Sequence, residues 1–500
     1  MRWNKMQEEV ILPSGRSAIK AEYAHMPIEE YNENPYIQCL PILIDKQTMI
    51  EKLMAKPVYN EEERQMNGLF RLHFTQRLYN FFQPLPIHIE IWEMVYFLLI
   101  QSYLARNPFN KDYKRYIHEA GKKIIQKDYD LFHFPSFRTT ASCGTLIGFS
   151  GMGKTTSFQR ILHNIPQVIV HNEYKGQRFS QIQLTWLKLE APHNSSLKSL
   201  CLQFFMKIDE ILGTNNFKKY VSRNLSVDAM LPLMGQVAQN IGLGLLVIDE
   251  IQHLRNRGAE QMMNFFVTLI NSFGVSIALI GTPAAYDIFA HELRIARRLT
   301  GNGEIIYNNM EYNDQFEFFL ESMWEYQWTS HRTPLTKELA KAFYEETQGI
   351  LDLVVKLFVT AQQKAIMTRK EELTVSLVRK VAKERFKFMS PMLEAIQSGN
   401  PHKIAKYEDI RKIEWKQKNE IKKEEAKESN TEENRRVCKT TIMKEETNIV
   451  QEKIKERSHN RPTSFEQGDL RKLLQRAKKE GRTAYEMLLE NGYIDDMNIW

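Results

Sequence analysis

The chain has 500 residues, more than one typical domain, so two or three compact units with a sizeable core are expected. A formal charge of +7 spread over that length is mild and permits a nucleic-acid partner without demanding one, while the ordinary composition excludes fibrous and collagen-like classes. Cys39, Cys143, Cys201 and Cys438 stand far apart with no CxxC pair, which argues against a zinc site or a disulfide framework and fits a reducing cytoplasm.

The opening residues carry no apolar run behind their positive charges, so no secretory leader is expected there. Asn34-Pro35 and Leu40-Pro41 punctuate a loop-like entry. Helical periodicity follows over 64–82 and 89–104, which defines an N-terminal helical region, residues 1–135. The apolar run within 91–104 is interrupted by Glu93 and Gln101 and is too short to cross a bilayer, so a buried helix and no membrane partner are expected. From about Thr139 short β-type runs at 145–147, 167–170, 184–189, 245–248 and 276–280 alternate with longer helical stretches. That alternation predicts an α/β fold over 136–313, a mostly parallel sheet flanked by helices. Beyond Asp314 the β-type runs stop, and helical stretches at 335–347, 351–366 and 375–388 form a helical lid, 314–398. Residues 399–460 mix charges of both signs with few apolar residues, a charged linker or a solvated single helix. The C-terminal tail ends in an amphipathic segment, 461–500, with Leu470, Leu473, Leu474 and Tyr485 at helical spacing. It reads as a docking segment on a tether or as a fringe helix of the main body.

Gly148-Phe-Ser150-Gly151-Met152-Gly153-Lys154-Thr155 matches GxxxxGK[ST], directly after a β-type run and before a helical one that takes in Thr156. In that order the pattern makes a phosphate loop: the glycines let backbone N–H groups turn inward as an anion nest, which the helix N-terminus extends. Lys154 is then placed for the β- and γ-phosphates of ATP, and the Thr155 hydroxyl for Mg²⁺. Leu245-Leu-Val-Ile-Asp249-Glu250 is an apolar run ending in two carboxylates, as a buried strand looks when it delivers acids to the carboxyl edge of a sheet. Asp249 would orient Mg²⁺, and Glu250 would position and polarise the attacking water.

The run at 276–280 ends in Gly281-Thr282-Pro283, so Thr282 is either a γ-phosphate sensor or part of a simple strand-to-loop turn. Arg297 and Arg298 are either surface cations or fingers reaching a neighbouring subunit's nucleotide. Lys175 and Arg178, in a Gly/Gln-rich segment, are candidate DNA contacts or plain solvated-loop cations. Trp186 and Lys188, within an apolar β-type run, read as structural.

Together these residues resemble the TnsC/TniB family, AAA+ ATPases that regulate transposition in bacterial DNA transposons. The likeness runs from about Asn34 to Pro391 and includes the phosphate loop, Gln183-Leu-Thr-Trp-Leu-Lys-Leu-Glu-Ala-Pro192 and Val247-Ile-Asp-Glu-Ile-Gln252-His-Leu254. It continues through Asn264-Phe-Phe-Val-Thr-Leu-Ile-Asn271, Trp324-Glu-Tyr-Gln-Trp328 and Gln348-Gly-Ile-Leu-Asp352. The resemblance implies a P-loop AAA+ ATPase in the bacterial cytoplasm, associated with the nucleoid, with Thr282 as sensor and Arg297/Arg298 as finger. It also implies an ATP-dependent homo-oligomer, a ring or helical filament, on duplex DNA. The N-terminal region would receive a target-selection protein, and the C-terminal tail would engage transposase subunits. One departure is visible: many AAA+ lids carry a nucleotide-sensing arginine where this chain has Asp352, with Lys356 a distant substitute. The alternatives from other classes are a remodelling or signalling ATPase that acts on proteins without DNA, and a scaffold that binds ATP without hydrolysing it.

Overall fold

In the computed structural model, strand β7 (Leu245–Asp249) is buried along its whole length. Leu245 and Val247 enter one apolar cluster while Leu246 and Ile248 enter another. Successive side chains of a strand point to opposite faces, so this split places a packed layer on each side of the sheet. The cluster with Leu246 gathers the helices Leu197–Leu212, Val227–Asn240 and Ala259–Phe273. The other is covered by the helices Pro86–Leu104 and Lys154–His163 and runs on into the lid. Pro86–Leu104 is apolar nearly all round, as a helix enclosed on most sides must be.

The structure describes residues 8–41, 44–126, 138–193, 195–221, 226–255, 259–285, 288, 303–404 and 406–407. The chain divides into two units, Met1–Ile413 and Glu414–Trp500, and every described residue belongs to the first. Its core sheet has the order β6-β7-β8-β3-β9, where β3 is Cys143–Gly148, β6 Trp186–Glu190, β8 Ser276–Gly281 and β9 Glu304–Tyr307. All neighbouring pairs are parallel. The carboxyl ends of β3, β7 and β8 therefore lie along one edge, where an open α/β sheet places its ligand crevice.

The α/β fold with a parallel sheet flanked by helices is as the alternation predicts, with local differences. Residues 9–20, read as loop, form the antiparallel strands β1 (Glu9–Ile11) and β2 (Ser17–Lys20). These join β4 (Val168–Tyr174) and β5 (Gln177–Leu184) in a second sheet of order β1-β2-β4-β5, so the run at 167–170 leaves the core sheet altogether. The run at 184–189 is two strands: Thr185 is the break, its hydroxyl donating to the carbonyls of Pro166 and Gln167. The helical run 64–82 is broken into a 3-10 turn Glu61–Gln65, the helix Gly68–Phe74 and a second 3-10 turn Thr75–Asn80.

The lid is helical, with Asp314–Trp324, Lys337–Thr347, Leu351–Met367 and Val375–Arg385 packed around Trp324, Phe343 and Phe358. The segment before Pro86 is clasped to it. Arg71 donates to both carboxylate oxygens of Glu371 at 2.7 Å and to the Trp328 carbonyl, and the guanidinium holds the Glu371 carboxyl below its ordinary range. Among the described residues no helix is long and apolar enough to cross a membrane.

Candidate nucleotide site

The loop after β3 is shaped by three glycines for two different reasons. Gly148 pairs with Tyr307 of β9, and a Cβ there would lie 2.2 Å from the Tyr307 carbonyl oxygen, so only glycine admits the strand so close. Gly151 and Gly153 have φ of +83° and +84°, the left-handed region that side chains disfavour. Gly153 then caps the helix Lys154–His163, whose N-terminal end opens directly from the loop. Lys154 is buried, and its ammonium donates to the carbonyls of Gly148 and Phe149, both at 2.8 Å, so it is held across the loop.

Asp249 ends β7 and is 3% exposed. Its Oδ2 accepts from the Thr155 hydroxyl at 2.9 Å and forms an ion pair with the Lys188 ammonium at 2.8 Å, while Oδ1 accepts from the backbone N–H of Glu250 at 3.0 Å. Lys188, read from sequence as structural, thus reaches the acid at the centre of the site. Glu250 has φ +58°, a strained conformation for a residue with a side chain. Its carboxylate is held by the Gln252 amide, whose own oxygen accepts from the Thr282 backbone N–H at 3.1 Å. The Thr282 hydroxyl is buried with no hydrogen-bond partner. A buried, unsatisfied donor costs on the order of 1–3 kcal/mol, and a ligand oxygen within reach would recover it.

Most of these groups line one cleft of about 600 Å³, and Asp249 lies behind its wall, joined to it through Thr155. Ser150, Gly151, Met152, Gly153, Lys154, Thr155 and Thr156 form one wall, and Glu250, Gln252, His253 and Thr282 another. Backbone amides and an ammonium thus face an anion, and carboxylates with a hydroxyl face a cation, the pairing that a metal–triphosphate needs. The third wall is apolar and absent from the sequence reading: Leu78, Phe81 and Phe82 come from the segment before Pro86, and Phe319, Leu351 and Val355 from the lid. The signal available in the sequence was the aromatic run Tyr79-Asn-Phe-Phe82 just before Pro84. His88 closes this wall as a neutral ring, since burial pushes its pKa down to about 4 and its Nδ1 accepts from the Leu85 N–H.

The lid meets the loop directly, the Asp352 N–H donating to the Gly151 carbonyl at 3.0 Å. The Asp352 carboxylate lines the cleft and is paired with Lys356 at 2.5 Å, so acid and substitute cation occupy each other. Lys175 stands at the exposed tip of the β4–β5 hairpin in an ion pair with Glu33, and Arg178 is exposed on β5, both away from the cleft. Arg297 and Arg298 lie outside the described residues, as does the whole segment 461–500.

Residues 138–289 match the family model of the AAA domain. Over these residues the fold is the α/β arrangement of that domain, with helices on both faces of the parallel sheet. Similar solved structures include a Walker-type ATPase of Pyrococcus abyssi (17% identity, 57% of this chain and 76% of that chain, TM-score 0.33). Also similar are the Aeropyrum pernix Orc1 protein in complex with DNA (16%, 62% and 80%, 0.34) and Drosophila ORC bound to DNA (10%, 68% and 84%, 0.33). No curated protein sequence matches the chain.

Proposed function

We propose that this chain is an ATPase of the TnsC/TniB type, an ATP-dependent regulator of DNA transposition that oligomerises on duplex DNA and links a target-selection protein to the transposase. The observation that carries the ATPase reading is the convergence of Lys154, Thr155, Glu250 and the unpartnered Thr282 hydroxyl on one cleft, with the buried Asp249 held directly behind it by Thr155. The transposition reading rests on the segments between Asn34 and Pro391 that resemble the family.

ATP and Mg²⁺ fit the donor set. The amides of Ser150 to Thr156 and the Lys154 ammonium bind phosphate oxygens, the ammonium leaving the Gly148 and Phe149 carbonyls to do so. Thr155 and Asp249 would hold Mg²⁺, whose charge would offset the negative charge gathered in phosphoryl transfer. Glu250 accepts a hydrogen bond from the attacking water and aims it in line with the γ-phosphate. The Thr282 hydroxyl donates to the γ-phosphate, which satisfies it only while the triphosphate is intact. Arg297 and Arg298 reach the nucleotide of a neighbouring subunit. With Asp352 in place of a lid arginine, the lid senses the loop through its N–H bond to Gly151 rather than through a cation on the phosphate.

Oligomers multiply weak contacts, so a few Lys or Arg side chains per subunit suffice to track phosphates, and Lys175 and Arg178 are the candidates. A gel shift of the full chain on duplex DNA of arbitrary sequence, with a non-hydrolysable ATP analogue, tests the assignment. Binding that needs the analogue and weakens linearly in log salt supports it. Nucleotide binding with no DNA shift at low salt would place the chain among ATPases that act on proteins alone.

A further inference from the structure

A lysine in the middle of a core strand is costly unless its charge is answered. Lys188 sits between Leu187 and Leu189, which enter the core on the opposite face, and pairs in register with Val247. Its side chain is only 19% exposed, and its ammonium is spent on one atom, Asp249 Oδ2, at 2.8 Å. That same oxygen accepts from the Thr155 hydroxyl. Thr155 and Asp249 are the two side chains that would hold Mg²⁺, so the protein has placed a fixed cation of its own on the carboxylate oxygen that Thr155 also engages.

We propose that Lys188 is a built-in counter-cation of the metal site, competing with Mg²⁺ for the Asp249 carboxylate and so setting how much Mg²⁺ the nucleotide needs. This rests on the reading of the cleft as a site for nucleotide and Mg²⁺. The ion pair holds the buried Asp249 carboxylate oriented before the metal arrives. A dication and an ammonium on one carboxylate oxygen repel each other, so entry of the metal turns the ammonium away. Removing the ammonium removes that competitor and leaves the carboxylate with only the neutral donors Thr155 and the Glu250 N–H, and both effects favour metal. The apolar stem of Lys188 can then lie along the strand face while its head reaches solvent. Regulation follows from the arrangement: nucleotide without metal leaves the Lys188–Asp249 pair intact, and only the metal-loaded nucleotide opens it.

The test is a Mg²⁺ titration of a fluorescent, non-hydrolysable ATP analogue on the full-length protein, read by anisotropy, with a parallel measurement in EDTA. The variants are Lys188→Met, Lys188→Gln as a second neutral replacement should the first lose its fold, and Lys188→Arg to keep the charge. In both neutral variants the ratio of affinities with and without Mg²⁺ should rise about tenfold, and half-saturating Mg²⁺ should fall by the same factor. Lys188→Arg should stay near the parent. A ratio unchanged or lowered in the neutral variants, while the parent binds nucleotide in a Mg²⁺-dependent way, overturns the proposal and leaves Lys188 a structural counter-ion. A parent that binds no nucleotide removes the reading of the cleft itself, and the role of Lys188 falls with it.

Discussion

Gln252 is the side chain through which the acid and the strand-end loop are joined, and its replacement by alanine is the sharpest probe of how Glu250 is positioned. The amide donates to the Glu250 carboxylate and accepts from the Thr282 N–H, so one side chain fixes both groups relative to each other. A hydrogen bond to a charged group is worth about 1.5–3 kcal/mol. Glu250 is already in a strained backbone conformation, and without the amide its carboxylate is free to leave the line of attack. If most of that energy serves positioning, Gln252→Ala lowers kcat by roughly 10- to 100-fold, at about 1.4 kcal/mol per tenfold. Nucleotide affinity should stay within about twofold, since the loop amides and Lys154 are untouched. Steady-state ATP turnover on DNA, paired with equilibrium nucleotide binding, separates the two quantities. An unchanged kcat with normal binding would show that Gln252 is a loop brace with no hold on catalysis, and would refute the reasoning.

Three more perturbations test other parts of the account. His171 and His88 are buried and neutral, burial pushing each from the ordinary 6.5 to about 4. The unfolded chain gains protons below 6.5 and the folded one does not until 4, so stability is complete above 6.5 and falls between these values, by up to about 3 kcal/mol per ring. Thermal melts from pH 7.5 to 4.5 should show that decline, and His171→Gln should make it shallower; a parent slope retained in the variant contradicts the assignment. If Arg297 or Arg298 is a trans-acting finger, its alanine variant keeps monomer nucleotide binding and loses oligomer-stimulated hydrolysis, and mixing it with Lys154→Ala protein partly restores turnover. No rescue with normal assembly would mean that the arginine does not act across subunits. Deleting residues from about Asn460 onward should leave ATP turnover and DNA binding intact while abolishing transposase pull-down, because the tail's apolar residues Leu470, Leu473, Leu474 and Tyr485 are the proposed contacts. Loss of nucleotide binding on truncation would make the segment part of the folded body.

The parts of the fold legible in the sequence are those set by local pattern. The strand-loop-helix at Gly148–Thr155 and the apolar run ending in Asp249 carry their own geometry, and the structure brings both to one sheet edge. Assignments that depend on distant partners were not legible. The strand at Val168–Tyr174 looks like any core strand in its own residues, and only pairing with Ser17–Lys20 and Gln177–Leu184 puts it in the second sheet. Lys188 looked structural because a strand-centre lysine has no visible partner until β6 and β7 align and set it beside Asp249. Gln252 was visible as part of the resemblance, but its bridge to Thr282 needs β7 and β8 side by side. The apolar wall escaped for the same reason: Phe81, Phe82 and Phe319 come from segments far apart in the chain.

The central claim is that the cleft between the Gly148–Thr155 loop and the Asp249–Glu250 edge binds and hydrolyses ATP. Calorimetric titration of Mg²⁺-ATP, with turnover measured on the same samples, tests it on the parent, Lys154→Ala and Glu250→Gln. Binding and hydrolysis are expected in the parent, loss of binding in Lys154→Ala, and binding near the parent's with turnover reduced by about 10²-fold or more in Glu250→Gln. Undiminished affinity in Lys154→Ala, or undiminished turnover in Glu250→Gln, would contradict it.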